Sequence, residues 1–173
     1  MNRLVALGMA WLLLVSGGCT KHAARADVDV GLIIPRGGQV EMPENQQFLF
    51  PTPVFENPLP EYPSEHLADG LDEQVVCLQI LIDEGGSVAW STAFDGPAGC
   101  PSAEQPALPA FTRSARKAVA DWQFLAAAVC TYPEGRPKNE DCSGEGVEMR
   151  PLAVKLSYRF RFGWREGRPS VEH

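Results

Sequence analysis

Between positions 152 and 162 apolar and polar residues alternate without a break. Leu152, Val154, Leu156, Tyr158, Phe160 and Phe162 stand against Ala153, Lys155, Ser157, Arg159 and Arg161. A period of two is the period of a β-strand, whose successive side chains point to opposite faces. A strand this long with one apolar face must bury that face, so the rest of the chain has to supply paired strands and a covering layer.

Both are found upstream. Gln74 to Ile82 is rich in Val, Ile and Leu, and Val76, Leu78, Ile80 and Ile82 share one face. Asp83-Glu84-Gly85-Gly86 then supplies a turn, because glycine tolerates positive φ, and residues 87–94 return as a second strand. In residues 107–124, Phe111, Ala115, Ala118, Val119 and Trp122 form a helical stripe, with Arg113, Arg116, Lys117 and Asp121 on the other faces. Trp122, at the end of the stripe, reads as core rather than as part of a ligand cage. The order is β-β-α-β. It predicts an α+β domain in which one helix covers one face of a three-stranded antiparallel sheet.

The motifs "PEYP" at 60–63, Gly70-Leu71 before a hydrophobic strand, "DEGGSV", a helix ending in "WQF" and a final "YRFRF" occur in one order. Together they resemble the C-terminal domain of TonB-type proteins over residues 58–162. The resemblance implies that domain's small β-β-α-β fold and a protein-binding role without catalysis. It also implies that Glu61 and Tyr62, at the opening Tyr-Pro, lie in the partner-contact region. The chain departs from the family in three places. Glu61 replaces a glutamine, Glu73 replaces a glycine, and residues 131–150 insert a long loop before the last strand.

The N-terminus separates the chain further from that family, whose members keep a transmembrane anchor. Arg3 is followed by an apolar run that ends at Gly17-Gly18-Cys19. This run is shorter than the ~20 residues a membrane-spanning helix needs, and fits the apolar part of a signal peptide. It is similar to a bacterial lipoprotein signal over residues 1–18, with Cys19 as the lipidated first residue, although Ser16 and Gly17 stand where such signals more often have Leu then Ala or Ser. Thr20, in place of the aspartate that marks inner-membrane retention, points to the outer membrane. Residues 19–57 read as an extended linker, because Pro35, Pro43, Pro51 and Pro53 each remove a backbone donor and disfavour helix. Within it the short apolar stretches 30–34 and 48–50 either stay in the linker or pack onto the domain as short strands. Residues 163–173 form a tail.

Beyond Cys19 there are four cysteines, which allow three pairings. Cys130 and Cys142 bracket a polar loop holding two prolines and a glycine, and a bridge there would contribute ~3 kcal/mol. Cys77 and Cys100 are then the remaining pair, with a small buried thiol as the alternative reading of Cys77. No C-x-x-C and no histidine pair suggests a metal. His22 falls in the linker and His173 at the end. His66 lacks the partners of a catalytic triad and reads as a solvated residue. The carboxylate pairs Asp83-Glu84 and Glu140-Asp141 read as solvated turn residues. No phosphate-binding glycine motif is present, so the sequence predicts no enzyme, no cofactor and no metal. A net charge of −7 argues against nucleic acid as a partner.

What remains is a lipid-anchored protein of the periplasmic face that recognises an envelope or outer-membrane protein. The alternative is a homodimer acting as a scaffold in an envelope transport or secretion assembly. Either would use the open edge of the sheet, and the final strand is the expected edge. Its Lys155, Arg159 and Arg161 would present a basic stripe to an acidic partner.

Overall fold

The computed structural model describes residues 27–33, 41–94, 99–102 and 107–163, and the structural statements below concern those residues. Cys19, the signal segment 1–18, His22 and residues 164–173 lie outside them.

The main sheet is built around the two strands with the strongest apolar patterning. The strand β4 (Gln74–Ile82) pairs antiparallel with β9 (Val154–Gly163), setting Val76 opposite Phe160, Leu78 opposite Tyr158 and Ile80 opposite Leu156. The return strand β5 (Val88–Ala93) pairs with the other side of β4. The turn between them is held by Asp83, whose Oδ1 accepts the N–H groups of Gly85 and Ser87, each at 2.9 Å. Pairing by alternation gathers the apolar side chains on one face. Helix α1 (Pro109–Ala120) covers that face with Phe111, Ala115 and Val119. Proline at the first helical position needs no N–H partner there, which suits the start. Trp122, just past the helix, is 3% exposed and donates its indole N–H to the Pro58 carbonyl at 2.9 Å.

The expected single three-stranded sheet is not what forms. The domain is α+β with one helix and three sheets, of four, three and two strands. The four-stranded sheet has the order β1-β9-β4-β5, because β1 (Asp27–Ile33) pairs antiparallel along β9. Its Val28, 1% exposed, enters the core opposite Phe162. The three-stranded sheet joins β2 (Gln46–Leu49), β7 (Ala128–Thr131) and β8 (Glu148–Pro151), and the smallest pairs β3 (Thr52–Pro53) with β6 (Phe124–Leu125).

The added strands come from the linker span, where short strands at 30–34 and 48–50 are one of two readings, and from the span read as an inserted loop. Residues 27–33 precede Pro35, the first proline, residues 46–49 lie between Pro43 and Pro51, and Pro53 ends its strand, so the donors their ladders need are kept. Residues 128–131 and 148–151 turn the ends of the supposed loop 131–150 into a hairpin. The final strand accordingly begins at Val154, with Leu152 and Ala153 at the corner between β8 and β9. The TonB-like single-sheet architecture is therefore not the one observed.

Two disulfides fasten these parts. Cys77 is bonded to Cys100 and Cys130 to Cys142, each pair with Cα atoms 5.7 Å apart, within the usual range for a bridge. The second joins Tyr132 in a small separate core against Leu49 and Val147.

Candidate functional site

An antiparallel strand at the end of a sheet presents every second residue's N–H and C=O outward. In the main sheet β1 and β5 are such strands, and β5 is the one packed beside α1. The Phe94 N–H donates to the Cys77 carbonyl at 3.2 Å, so the backbone groups of Phe94 and Thr92 face β4. Alternation turns those of Ser91 and Ala93 away from the sheet. Among the described residues no strand pairs with that side of β5. The Thr92 hydroxyl donates to the Ala93 carbonyl at 3.3 Å, and the outward N–H groups meet no protein acceptor among the described residues.

Beside this edge runs an open groove of about 470 Å³ between β5 and α1. One wall is Val88 to Ser91 and the other carries Arg113, Arg116 and Lys117. Positions i, i+3 and i+4 of a helix share one face, so the three cations point the same way. No carboxylate lines the groove. Arg113 lies 3.3 Å from Glu65 in an exposed pair, which contributes at most ~1 kcal/mol. Arg116 and Lys117 make no ion pair among the described residues.

The residues singled out from sequence are scattered. The strand β9 is hydrogen-bonded to β1 on one side and β4 on the other, so the final strand offers no open edge, and strand addition along it is overturned. Its Lys155, Arg159 and Arg161 project from the sheet face opposite α1. Lys155 places Nζ 5.5 Å from the centre of the Trp90 ring, a cation–π contact. Arg159 packs against Gly99, close to the Cys77–Cys100 bridge. Arg161 is half-buried, and its Nε has no hydrogen-bond partner among the described residues. Tyr62 is 6% exposed, stacked edge-to-face on Phe111 at 5.0 Å, and so belongs to the core. Glu61 is exposed, and its carbonyl accepts the Ser114 hydroxyl.

His66 is not the free surface residue its loop position suggested. Its ring stacks on Phe111 at 5.4 Å and its Nδ1 lies 2.8 Å from the Asp69 carboxylate. No serine, threonine or cysteine is bonded to the ring among the described residues, and no group of three His, Cys, Asp or Glu there could hold a metal ion. Two groups titrate away from their ordinary values. The Ser143 hydroxyl and backbone N–H hold the Asp141 carboxyl below the usual carboxylate value, and burial pushes the Tyr158 phenol up. Both fit structural roles. No described helix is long and apolar enough to cross a membrane.

The groove cations were visible in the sequence only as the polar faces of a helix. Their grouping at i, i+3 and i+4 in an acidic chain was the available signal. No family model, curated protein or solved structure matches the chain.

Proposed function

We propose that the chain is a non-catalytic envelope protein, lipid-anchored through Cys19 on the periplasmic face, whose folded part binds an envelope or outer-membrane protein by strand addition. The observation that carries the binding role is the unpaired outer side of β5, where Ser91 and Ala93 turn backbone groups outward beside an open groove. Adding a strand satisfies such groups and needs little from the partner's sequence. Two disulfides support an oxidising compartment, where such bonds persist. The apolar run ending at Cys19 supports export and lipid attachment.

The binding role is tested by placing a photo-crosslinking residue at Thr92, on β5, or at Asp29, on β1, in cells that export the full chain. Irradiation should give a discrete adduct with a different protein from Thr92 and none from Asp29. The same adducts from both positions, or none from Thr92, would refute strand addition at β5. An adduct twice the mass of the chain would favour the dimeric scaffold instead. For the anchor, equal incorporation of a fatty-acid analogue into the wild type and Cys19→Ala would refute lipidation.

A further inference from the structure

We infer that the groove between β5 and α1 selects an extended protein segment carrying carboxylates at alternate positions. This rests on strand addition at β5 and names the chemistry of the segment added. The chain carries a net charge of −7, yet this groove holds Arg113, Arg116 and Lys117 and no carboxylate. A partner read by its charge would therefore be acidic here, though most of the molecule would repel it.

The spacing also fits. A helix rises 1.5 Å per residue, so Arg113 and Lys117 stand ~6 Å apart along α1, with Arg116 between them. Side chains on one face of a strand recur every ~6.7 Å. A segment paired to Ser91 and Ala93 would direct every second side chain toward α1, so carboxylates at i and i+2 would meet successive cations. Arg116 would offer a planar fork that can take both oxygens of one carboxylate. The Ala89 and Ala120 side chains in the lining leave room for the stems of those acids.

The strand at the opposite end of the same sheet, β1, is of related composition. There the first four residues, "DVDV", alternate acidic and apolar, and β1 places Asp29 opposite Arg161 of β9. A second copy of this chain fits the groove poorly. Pairing β5 with β5 about a two-fold axis would bring two α1 helices together on one side of the joined sheet, with their cations facing each other.

The test uses the full chain with both disulfides formed and three fluorescent decapeptides. One alternates Glu with Thr, one alternates Lys with Thr, and one is the Glu peptide N-methylated at every residue. Binding is read by anisotropy at low salt and again at ~0.5 M NaCl, where the screening length falls well below its physiological value. The wild type should bind the Glu peptide at least about tenfold more tightly than the Lys peptide, and salt should narrow the difference. Arg116→Glu combined with Lys117→Glu should reverse the preference, and the corresponding Gln pair should fall between. Both positions are exposed, and far-ultraviolet circular dichroism checks that the variants fold.

An unchanged Glu-to-Lys ratio in the Glu double variant overturns the inference, as does a ratio near one in the wild type. If the Glu and Lys peptides bind equally and N-methylation abolishes binding, strand addition stands and acidic selectivity falls. If N-methylation changes nothing, or neither peptide binds at millimolar concentration, strand addition at β5 falls as well.

Discussion

Replacing Gly86 by alanine tests the joint between the β4–β5 turn and the end of α1. Gly86 sits at φ +86°, in the region L side chains rarely adopt. A Cβ there would lie 1.9 Å from the Phe124 carbonyl oxygen, backbone that cannot rotate away. The same glycine accepts the Phe124 N–H at 2.8 Å, so retreat of residue 124 breaks that bond. The left-handed conformation costs an alanine ~1–2 kcal/mol. Losing the hydrogen bond adds about 1 kcal/mol. Lifting Phe124, 4% exposed, from the core forfeits part of the ~1.5–3 kcal/mol its burial contributes. The sum is about 3–5 kcal/mol, a large share of the roughly 5–15 kcal/mol typical of a folded domain. Gly85→Ala is the control. Its added methyl would lie 3.3 Å from Asp83 Oδ1, a side chain that need shift only a few tenths of an ångström, without a positive φ, and should cost less than about 1 kcal/mol. Urea unfolding under oxidising conditions, followed by tryptophan fluorescence, gives both values as midpoint shifts at constant slope. A loss below ~1 kcal/mol in Gly86→Ala, or an equal loss in Gly85→Ala, would refute the reasoning.

Changing both Cys130 and Cys142 to serine opens a loop of 12 residues and should cost ~3 kcal/mol, with faster amide exchange in residues 132–147. A loss under ~0.5 kcal/mol would remove the staple role. Trp122→Phe keeps a ring but drops the bond to the Pro58 carbonyl, and should lower stability by about 1 kcal/mol in the same urea assay. For Asp141 the folded carboxyl titrates below its ordinary value of 3.8, so its contribution is present above that value and fades as pH falls through the lower folded one. In Ser143→Ala the Asp141 titration followed by carbon-13 NMR should move up toward 3.8, and an unmoved midpoint would show that the hydroxyl is not the cause.

Local periodicity made β4, β5, α1 and most of β9 legible, because each is an amphipathic segment long enough to show its own period. The stripe Phe111, Ala115, Val119 and Trp122 does reach the core, and Tyr158 meets Trp122 edge-to-face at 5.0 Å. What periodicity could not supply was the pairing of distant segments. The strand β1 joins residues 27–33 to residues 157–163, and nothing in "DVDVGLI" names its partner. Likewise β2 lies far from β7 in the chain, and its four residues are too few for a firm pattern. Proline density was a sound argument against helix in this region but a weak one against short strands that precede the prolines, as β1 does, or fit between them, as β2 does.

The open edge beside α1 was hidden for the same reason. Openness is not a property of a strand but of the order in which strands are laid side by side. From the sequence β9 is the longest strand and the natural edge, and its arginines look like a contact stripe. Once β1 pairs along it, β9 becomes internal and its backbone groups are committed on both sides. The open sides are then the outer sides of the two end strands, β1 and β5, and the one beside α1 is β5, shorter and with no basic side chain of its own. Its charge comes from α1, a different element, through Arg113, Arg116 and Lys117. A pattern read along one segment cannot show a site assembled from the backbone of one element and the side chains of another. The helix's polar positions therefore looked like solvated surface until the strand order placed a free edge beside them.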